Sequence, residues 1–345
     1  KMIKSEILMK NNISYFLSLA IQELKSYGYN SERLNNAKKS VYKNIDKIYW
    51  CVSPDNKRAV RFYDKNGFKR IDAVELGMIE GYIAKLFKEA IDVEIPMPLP
   101  RLKYLDAMER YGSDKPDTRF GMEIQDISEL VKSCGFSVFT SAIESGGSVR
   151  AIVAKNAAQV FTRKEIDKLV EHAKGIGAKG LAYLCVNEDG SYKSSFAKFM
   201  TEDEMTAILN KAGAEKGDVV LVVADRKKSL VLSVLGALRN ETAKKLDIIK
   251  DGFNLLWIVE FPFFDWDEDA QQYVAMHHPF TSPMDECLEY LETDKSKVRA
   301  KAYDLVLNGI ELSSGSIRIT NPELQNRMFA LLGMSQEEAY EKFGF

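Results

Sequence analysis

Two β-type runs joined by a tight turn occupy residues 302–319, which read Ala-Tyr-Asp-Leu-Val-Leu-Asn-Gly-Ile-Glu-Leu-Ser-Ser-Gly-Ser-Ile-Arg-Ile. The pair Asn308-Gly309 is typical of a hairpin turn, because both residues tolerate positive φ. Two further β-type runs, Leu255 to Phe264 and Tyr273 to Met276, precede this hairpin. Consecutive strands with short turns predict an antiparallel sheet in the last part of the chain.

Strands and helices alternate through the middle of the chain, from about residue 134 to residue 245. The runs Ala151 to Ala154, Leu181 to Val186 and Asp218 to Ala224 are apolar and predict strands. Capping boxes that begin at Thr162 and Thr201 predict the start of two helices. This alternation predicts an α+β module that folds on its own.

The N-terminal part of the chain contains two helical patterns. Apolar residues from Ile13 to Leu24 keep helical spacing, whereas the polar stretch Asn30 to Asp46 shows no clear periodicity and predicts a loop. A regular amphipathic pattern from Ile79 to Ala90 predicts a helix that ends before Pro96.

Composition restricts the class of protein. The chain has 345 residues, of which 46% are hydrophobic and 28% charged, and these proportions are typical of a soluble globular protein with two to three domains. No apolar run reaches the roughly 18 residues that a membrane span needs, so we expect no membrane association. The four cysteines are far apart and show no metal-site spacing, which favours a reducing cytoplasm: Cys51, Cys134, Cys185 and Cys287.

Charge is distributed unevenly along the chain. Residues 1–70 carry 15 Lys+Arg and 6 Asp+Glu, a net charge of +9, whereas the other 275 residues carry 33 and 44, a net charge of −11. Such a step favours either a basic arm for an acidic partner or a junction between two segments of different origin.

Two of the three histidines are adjacent, in the run Ala275-Met-His-His-Pro-Phe-Thr-Ser-Pro283. A His pair at the end of a β-type run places at least one imidazole at the rim of a sheet, where ligands often bind. Neighbouring side chains on a strand face opposite ways, so His277 and His278 are not expected to hold one metal together. The alternative is one packed and one exposed histidine.

Glu311 and Arg318 flank a run of small residues in the predicted hairpin. Small side chains allow a ligand to approach the backbone closely, and arginine offers a planar fork for a carboxylate or phosphate. Without further information, Glu311 and Arg318 could equally form a cross-strand ion pair.

A third polar cluster, Tyr111-Gly-Ser-Asp-Lys-Pro-Asp117, predicts a loop by composition alone. Together with its neighbours, however, it carries a resemblance. The runs Pro98 to Leu102, Asp106 to Asp117, Arg119-Phe-Gly121 and Val259-Glu-Phe-Pro262 resemble those of bacterial aspartyl-tRNA synthetase, as do 275–283 and 308–319. These motifs occur in that family's order, and the likeness covers about residues 76–345. The module at 134–245 is similar to the insertion domain, called GAD, of the bacterial members.

The resemblance implies ATP-dependent activation of aspartate to aspartyl-adenylate and transfer of the aspartyl group to tRNA. By position in the family's motifs, His277 would contact aspartate, Arg318 would hold the substrate carboxylate and Glu311 would contact ATP. Glu311 could also hold a Mg²⁺ ion that neutralises the ATP phosphates. Cofactors are then ATP and Mg²⁺, and partners are aspartate and tRNA. The family is homodimeric.

Several parts of the family's pattern do not occur in these 345 residues. The anticodon-binding barrel, the helix-strand motif of the dimer interface and two ATP-binding arginines are not found. A site without those arginines loses stabilisation of the charged transition state. We therefore expect the chain alone to be inactive or nearly so, which leaves a non-catalytic binding fragment as an alternative.

Residues 48–70 resemble instead the C-terminal part of a GNAT-type N-acetyltransferase, in which a strand precedes Asn-x-x-Ala-x-x-x-Tyr and Gly-Phe. That resemblance would place Asn56 and Tyr63 near coenzyme A, with the Tyr63 hydroxyl a proton donor. It leaves a residual acetyl-CoA-dependent N-acetyltransferase activity of the N-terminal segment as a further alternative. The alternative is that Ala59, Phe62 and Tyr63 form the buried face of a short helix. The Gly-rich pyrophosphate loop of that family does not precede this segment.

The sequence therefore predicts an α/β (α+β) fold with an antiparallel class II synthetase sheet. We expect a GNAT-like partial segment at 1–72, a first catalytic part at 73–133, the inserted module at 134–245 and a second catalytic part at 246–345.

Overall fold

The computed structural model describes residues 16–43, 75–267 and 271–343. The described helices are α1 (residues 16–26), α2 (Ser31–Lys43), α3 (Glu75–Ile91), α4 (Tyr104–Tyr111), α5 (Ser128–Val131), α6 (Ser137–Glu144), α7 (Arg163–Ile176), α8 (Glu202–Ala212), α9 (Lys228–Leu246), α10 (Pro322–Leu331) and α11 (Gln336–Phe343). The described strands are β1 (Arg101–Lys103), β2 (Gln125–Asp126), β3 (Ser148–Ala154), β4 (Ala182–Val186), β5 (Tyr192–Ser194), β6 (Val219–Asp225), β7 (Leu255–Val259), β8 (Phe264–Asp267), β9 (Gln272–Ala275), β10 (Ala302–Leu307) and β11 (Ile310–Ser316).

The chain divides into two compact units, neither of which is continuous in sequence. Of the described residues, unit 1 comprises those within 1–102, 255–306 and 311–345, and unit 2 comprises those within 103–254 and 307–310. The structure is a mixed α/β fold with antiparallel pairing, as predicted.

Unit 1 contains a four-stranded sheet in the order β1-β7-β10-β11, and β8 and β9 form a separate antiparallel pair. The predicted hairpin is confirmed: Asn308 and Gly309 adopt φ of 51° and 89° between β10 and β11. The single strand predicted from Leu255 to Phe264 is wrong. It is interrupted because Glu260 adopts φ of 56°, a left-handed conformation that a strand cannot accommodate.

The helices of unit 1 agree only partly with the sequence patterns. The helix predicted from Ile79 to Ala90 is confirmed within α3, which buries Ile83, Leu86, Phe87 and Ala90. The loop predicted from Asn30 to Asp46 is wrong over α2. The Asn30 side chain caps this helix by accepting the N–H groups of Glu32 and Arg33 at 2.9 and 3.0 Å.

Unit 2 contains a five-stranded antiparallel sheet in the order β2-β3-β6-β4-β5. The three predicted strands are confirmed as β3, β4 and β6. Alternate residues of β6 enter two different cores: Val219, Leu221 and Val223 join one hydrophobic cluster, and Val220 and Val222 join the other. Helices therefore cover both faces of this sheet, which explains why its central strands are continuously apolar.

Of the capping boxes predicted in the sequence, the one at Thr201 forms fully. The Thr201 side chain accepts from the N–H of Glu204 and the Glu204 carboxylate accepts from the N–H of Thr201. At Thr162 the corresponding side-chain bond is absent. In the described part of the chain, no helix is both long and apolar enough to cross a membrane.

Candidate functional site

The two adjacent histidines follow the end of β9 and have different surroundings. The His277 ring packs edge-on against Phe261, with ring centroids 4.7 Å apart. The His278 ring lies 4.8 Å from that of Phe280, and its Nδ1 accepts the Phe280 N–H at 3.2 Å. Because Nδ1 is an acceptor, the proton of the neutral ring is on Nε2, which is then a donor.

Backbone pairing brings the His-Pro segment beside the end of the predicted hairpin. Thr281 forms an antiparallel bridge with Arg318. The Ser282 N–H donates to the Ile317 carbonyl at 2.7 Å, and the Ile319 N–H donates to the Phe280 carbonyl at 2.8 Å. Two extended segments of unit 1 are therefore adjacent, residues 280–282 and residues 317–319. Their side chains lie in the same region of that unit.

His278 and Arg318 are coupled electrostatically in this region. Partial burial lowers the pKa of the His278 imidazole, and the Arg318 guanidinium lowers it further. The structure therefore brings Arg318 together with His278, which sequence analysis did not assign to a ligand. His277, which it did assign, lies one residue away against Phe261.

Arg299 connects two other segments of unit 1, and sequence analysis did not identify it. Its guanidinium pairs with the Glu260 carboxylate, in the predicted Val259 to Pro262 motif, and with the Glu286 carboxylate at 3.0 Å. The Arg299 backbone bridges to Pro262 and its carbonyl accepts the Met284 N–H. The unusual backbone of Glu260 is thus held in place by a side chain far along the sequence.

Glu311 is an exposed residue of β11, whereas its neighbour Leu312 is buried. Within the ranges that the structure describes, no group of three or more His, Cys, Asp or Glu side chains could hold a metal ion. Mg²⁺ needs no such cage, because it commonly takes one or two carboxylates and fills its other positions with water and phosphate oxygens. An exposed carboxylate such as that of Glu311 fits this mode of binding.

Of the small residues before Arg318, at least Gly315 is required for packing within the protein. A Cβ atom added to Gly315 would lie 2.6 Å from the Tyr303 ring. That ring packs edge-on against Trp257, whose Nε1–H donates to the Glu80 carboxylate at 2.9 Å. The space that Gly315 leaves is therefore occupied by an aromatic side chain of the protein.

A family model described as "tRNA synthetases class II (D, K and N)" matches residues 68–345. The chain belongs to this class II synthetase family. The predicted resemblance over residues 76–345 is thereby confirmed.

Three curated relatives of this chain are named aspartate–tRNA ligase or aspartate–tRNA(Asp/Asn) ligase. It is 56% identical over 279 residues to the aspartate–tRNA ligase of Ruminiclostridium cellulolyticum, covering 81% of this chain and 46% of the relative. It is 50% identical over 316 residues to the aspartate–tRNA(Asp/Asn) ligase of Lachnoclostridium phytofermentans, covering 89% and 52%. It is 54% identical over 271 residues to the aspartate–tRNA(Asp/Asn) ligase of Bacillus anthracis, covering 78% of this chain and 46% of the relative. The chain thus spans about half the length of these relatives.

The predicted acetyltransferase-like segment of this class II synthetase chain lies outside the described residues, as do Asn56 and Tyr63. The match with the Lachnoclostridium enzyme covers 89% of the chain, more than the part after residue 72 could supply, so it includes some residues before 73. The GNAT resemblance remains a prediction from sequence.

Proposed function

We propose that this chain carries the aspartate-activating part of an aspartate–tRNA ligase. In this reaction a carboxylate oxygen of aspartate attacks the α-phosphorus of ATP, the bond to the bridging oxygen breaks, and pyrophosphate leaves. The aspartyl group then passes from the adenylate to the 3′ end of tRNA. The observation that carries the proposal is the pairing of 280–282 with 317–319, which brings His278 and Arg318 together in a family member whose relatives are named aspartate–tRNA ligases.

Arg318 supplies the specificity for an acidic amino acid. Its guanidinium presents a rigid, planar fork of donors that matches a carboxylate. His278 is held neutral beside it, with a donor at Nε2, and His277 contacts the substrate from the same segment. A site built on charged hydrogen bonds rejects an amide analogue, because its own groups would be left unpaired.

Glu311 contacts ATP and contributes a carboxylate to a Mg²⁺ ion. Such an ion, when bound, neutralises charge on the phosphates. Further partners under this proposal are tRNA and a second subunit in a homodimer, and the place of action is the cytoplasm.

Binding of a non-hydrolysable aspartyl-adenylate analogue to the 345-residue chain, measured by calorimetry, tests the assignment. We expect Arg318→Lys to weaken binding by about tenfold or more, because lysine cannot reproduce the two-donor fork. The matched control is Arg327→Lys on α10, which removes an exposed guanidinium that donates two hydrogen bonds to the Glu292 carboxylate. Equal affinity of the unaltered chain for aspartyl and asparaginyl analogues, or an unaffected Arg318→Lys variant, would contradict the proposal.

Aspartate-dependent exchange of pyrophosphate into ATP separates catalysis from binding. Analogue binding without exchange would identify a binding fragment. Robust exchange would show that these residues suffice for adenylate formation.

A further inference from the structure

Arg239 is a fully buried arginine in α9 of unit 2, with a side chain 1% exposed. Its guanidinium donates to a run of backbone carbonyls in one loop. Nε donates to the Met122 carbonyl at 2.9 Å, and Nη2 donates to those of Gly121 at 3.0 Å and Asp117 at 3.1 Å, with a longer contact to Phe120 at 3.5 Å. One side chain therefore fixes the backbone of residues 117–122.

Two aromatic rings complete the surroundings of this cation. The guanidinium carbon lies 4.9 Å from the centre of the Tyr111 ring and 4.5 Å from that of Phe120. Such contacts stabilise a desolvated guanidinium. Burial lowers the pKa of Arg239 to about 10, so the group still carries its charge at neutral pH.

The loop and α9 are also held together by a close approach of two backbones. A Cβ atom on Gly112 would lie 2.1 Å from the Leu232 carbonyl oxygen, and one on Gly236 would lie 2.6 Å from the Gly112 carbonyl oxygen. Gly112 ends α4 with φ of 67°. Because glycine alone allows this spacing, Arg239 can reach the loop carbonyls.

The far side of the same loop contacts the turn between β10 and β11. The Asp117 carboxylate is gripped by the Arg119 guanidinium at 2.7 Å, which fixes its position. A Cβ atom added to Gly309 would lie 3.3 Å from the Asp117 Cβ, so the turn and this loop are packed closely. Glu311 follows this turn by two residues.

We propose that Arg239 is a positioning residue, which holds residues 117–122 in one conformation so that Asp117 seats the Asn308–Gly309 turn and thereby sets Glu311 for its substrate. The cation has a specific task, because an apolar side chain of similar length could fill the space without the cost of burying a charge. The role of Glu311 rests on the proposed function, whereas the ordering of the loop rests on the contacts alone. Arg239 lies in the predicted insertion, and the loop that it holds lies in the predicted first catalytic part.

Amide hydrogen exchange of the unliganded chain tests the ordering of the loop. The informative amides are those of Arg119, Ile124 and Asn308, which donate to Asp117, Arg110 and Asn254. We expect Arg239→Met to speed their exchange by about tenfold or more and Arg239→Lys to have an intermediate effect. Lys244→Met, on the exposed side of α9, is the matched control and should change nothing.

Amides of β6 report whether unit 2 remains folded in each variant. If Arg239→Met loses that protection, Arg239→Lys carries the test. Unchanged exchange at Arg119 and Ile124 in a folded Arg239 variant would overturn the proposal.

Chemical rescue distinguishes positioning from mere filling of space. We expect millimolar guanidinium chloride to restore both the slow loop exchange and the affinity for the aspartyl-adenylate analogue in Arg239→Ala, whereas sodium chloride at equal concentration should not. A variant that sodium chloride restores equally, or that guanidinium leaves unchanged, would show that no cation is needed there. If the unaltered chain fails to bind the analogue, the proposed function fails, but the loop exchange still decides the role of Arg239.

Discussion

At the scale of single residues, the imidazole of His278 is the most informative titrating group. It is placed between the Phe280 ring, the Phe280 N–H and the Arg318 guanidinium. Partial burial and the neighbouring positive charge both disfavour the protonated ring. Both effects therefore favour the neutral ring of His278 in the unliganded chain.

This lowered pKa makes folding stability depend on pH. Because the unfolded chain binds the proton with a pKa of about 6.5, the contribution of His278 is fully present above that pH. It is lost as the pH falls through the lower folded-state value. Arg318→Gln removes one of the two causes, so we expect the pKa of His278 to rise while the effect of burial remains.

NMR titration of the His278 ring protons measures this shift. Arg327→Gln, which breaks the pair with Glu292, is the control and should leave the titration unchanged. A pKa that stays constant or falls in Arg318→Gln would contradict the electrostatic coupling.

The site residues differ in how far a sequence reveals them. His277, His278, Glu311 and Arg318 stand out because their residue types and short motifs match a known pattern. Arg299 gave no such signal, because its role depends on contacts with carboxylates distant in sequence. Arg239 was missed for the same reason: its partners are backbone carbonyls, which leave no pattern in side-chain identity.

At the scale of elements, the two threonine capping boxes of unit 2 share a pattern but differ in structure. At α7, Glu165 pairs with Lys168 at 2.8 Å and Lys245 at 2.9 Å. The hydrogen bonds from Lys168 and then Lys245 lower the pKa of Glu165 to about 2. The carboxylate is thus engaged by two lysines, and no side-chain cap forms at Thr162. Local sequence cannot reveal this, because Lys245 belongs to α9.

Matched substitutions at the two caps should therefore differ in cost. We expect Thr201→Ala to lower the free energy of unfolding by about 1 kcal/mol, since it removes the bond to the Glu204 N–H. Thr162→Ala should change it by less than about 0.5 kcal/mol. Urea unfolding, followed by circular dichroism, gives both values. Equal costs at the two positions would contradict the difference in hydrogen bonding.

Elements could be predicted where burial leaves a simple pattern. The strands β3, β4 and β6 are short apolar runs with buried residues on both faces, and they were found. Helix α2 could have been predicted, since its buried positions Leu34, Ala37 and Val41 keep helical spacing and Asn30 can cap it, but the segment buries only these few apolar residues and its pattern is weak. The break at Glu260 could not be foreseen, since a positive φ at glutamate needs tertiary support.

At the scale of the whole molecule, unit 2 contains its own hydrophobic cores. The buried members of the two clusters all lie between Ile124 and Leu238. They include neither the N-terminal helices nor the strands of unit 1. The stability of this sheet should therefore be independent of the first 74 residues.

A chain that begins at residue 75 should keep the slow amide exchange of β3 and β6, whereas Leu235→Ala in the full chain should lose it. Leu235 is fully buried in one of these cores, and removing its side chain should cost about 2–5 kcal/mol. Mass spectrometry of exchanged peptides measures both effects. Loss of β6 protection in the shortened chain would show that the N-terminal segment supports unit 2.

The segment 307–310 belongs to unit 2 but is synthesised after the rest of that unit. Asn308 accepts the Asn254 N–H at 2.9 Å and donates to the Gly252 carbonyl at 3.0 Å, across 54 residues of chain in the first case. On a ribosome that adds about 5–20 residues per second, Asn308 emerges roughly 3 to 11 s after Asn254. The nascent sheet of unit 2 can form during that interval, but the segment after α9 gains its hydrogen bonds to Asn308 only once the hairpin turn has been synthesised.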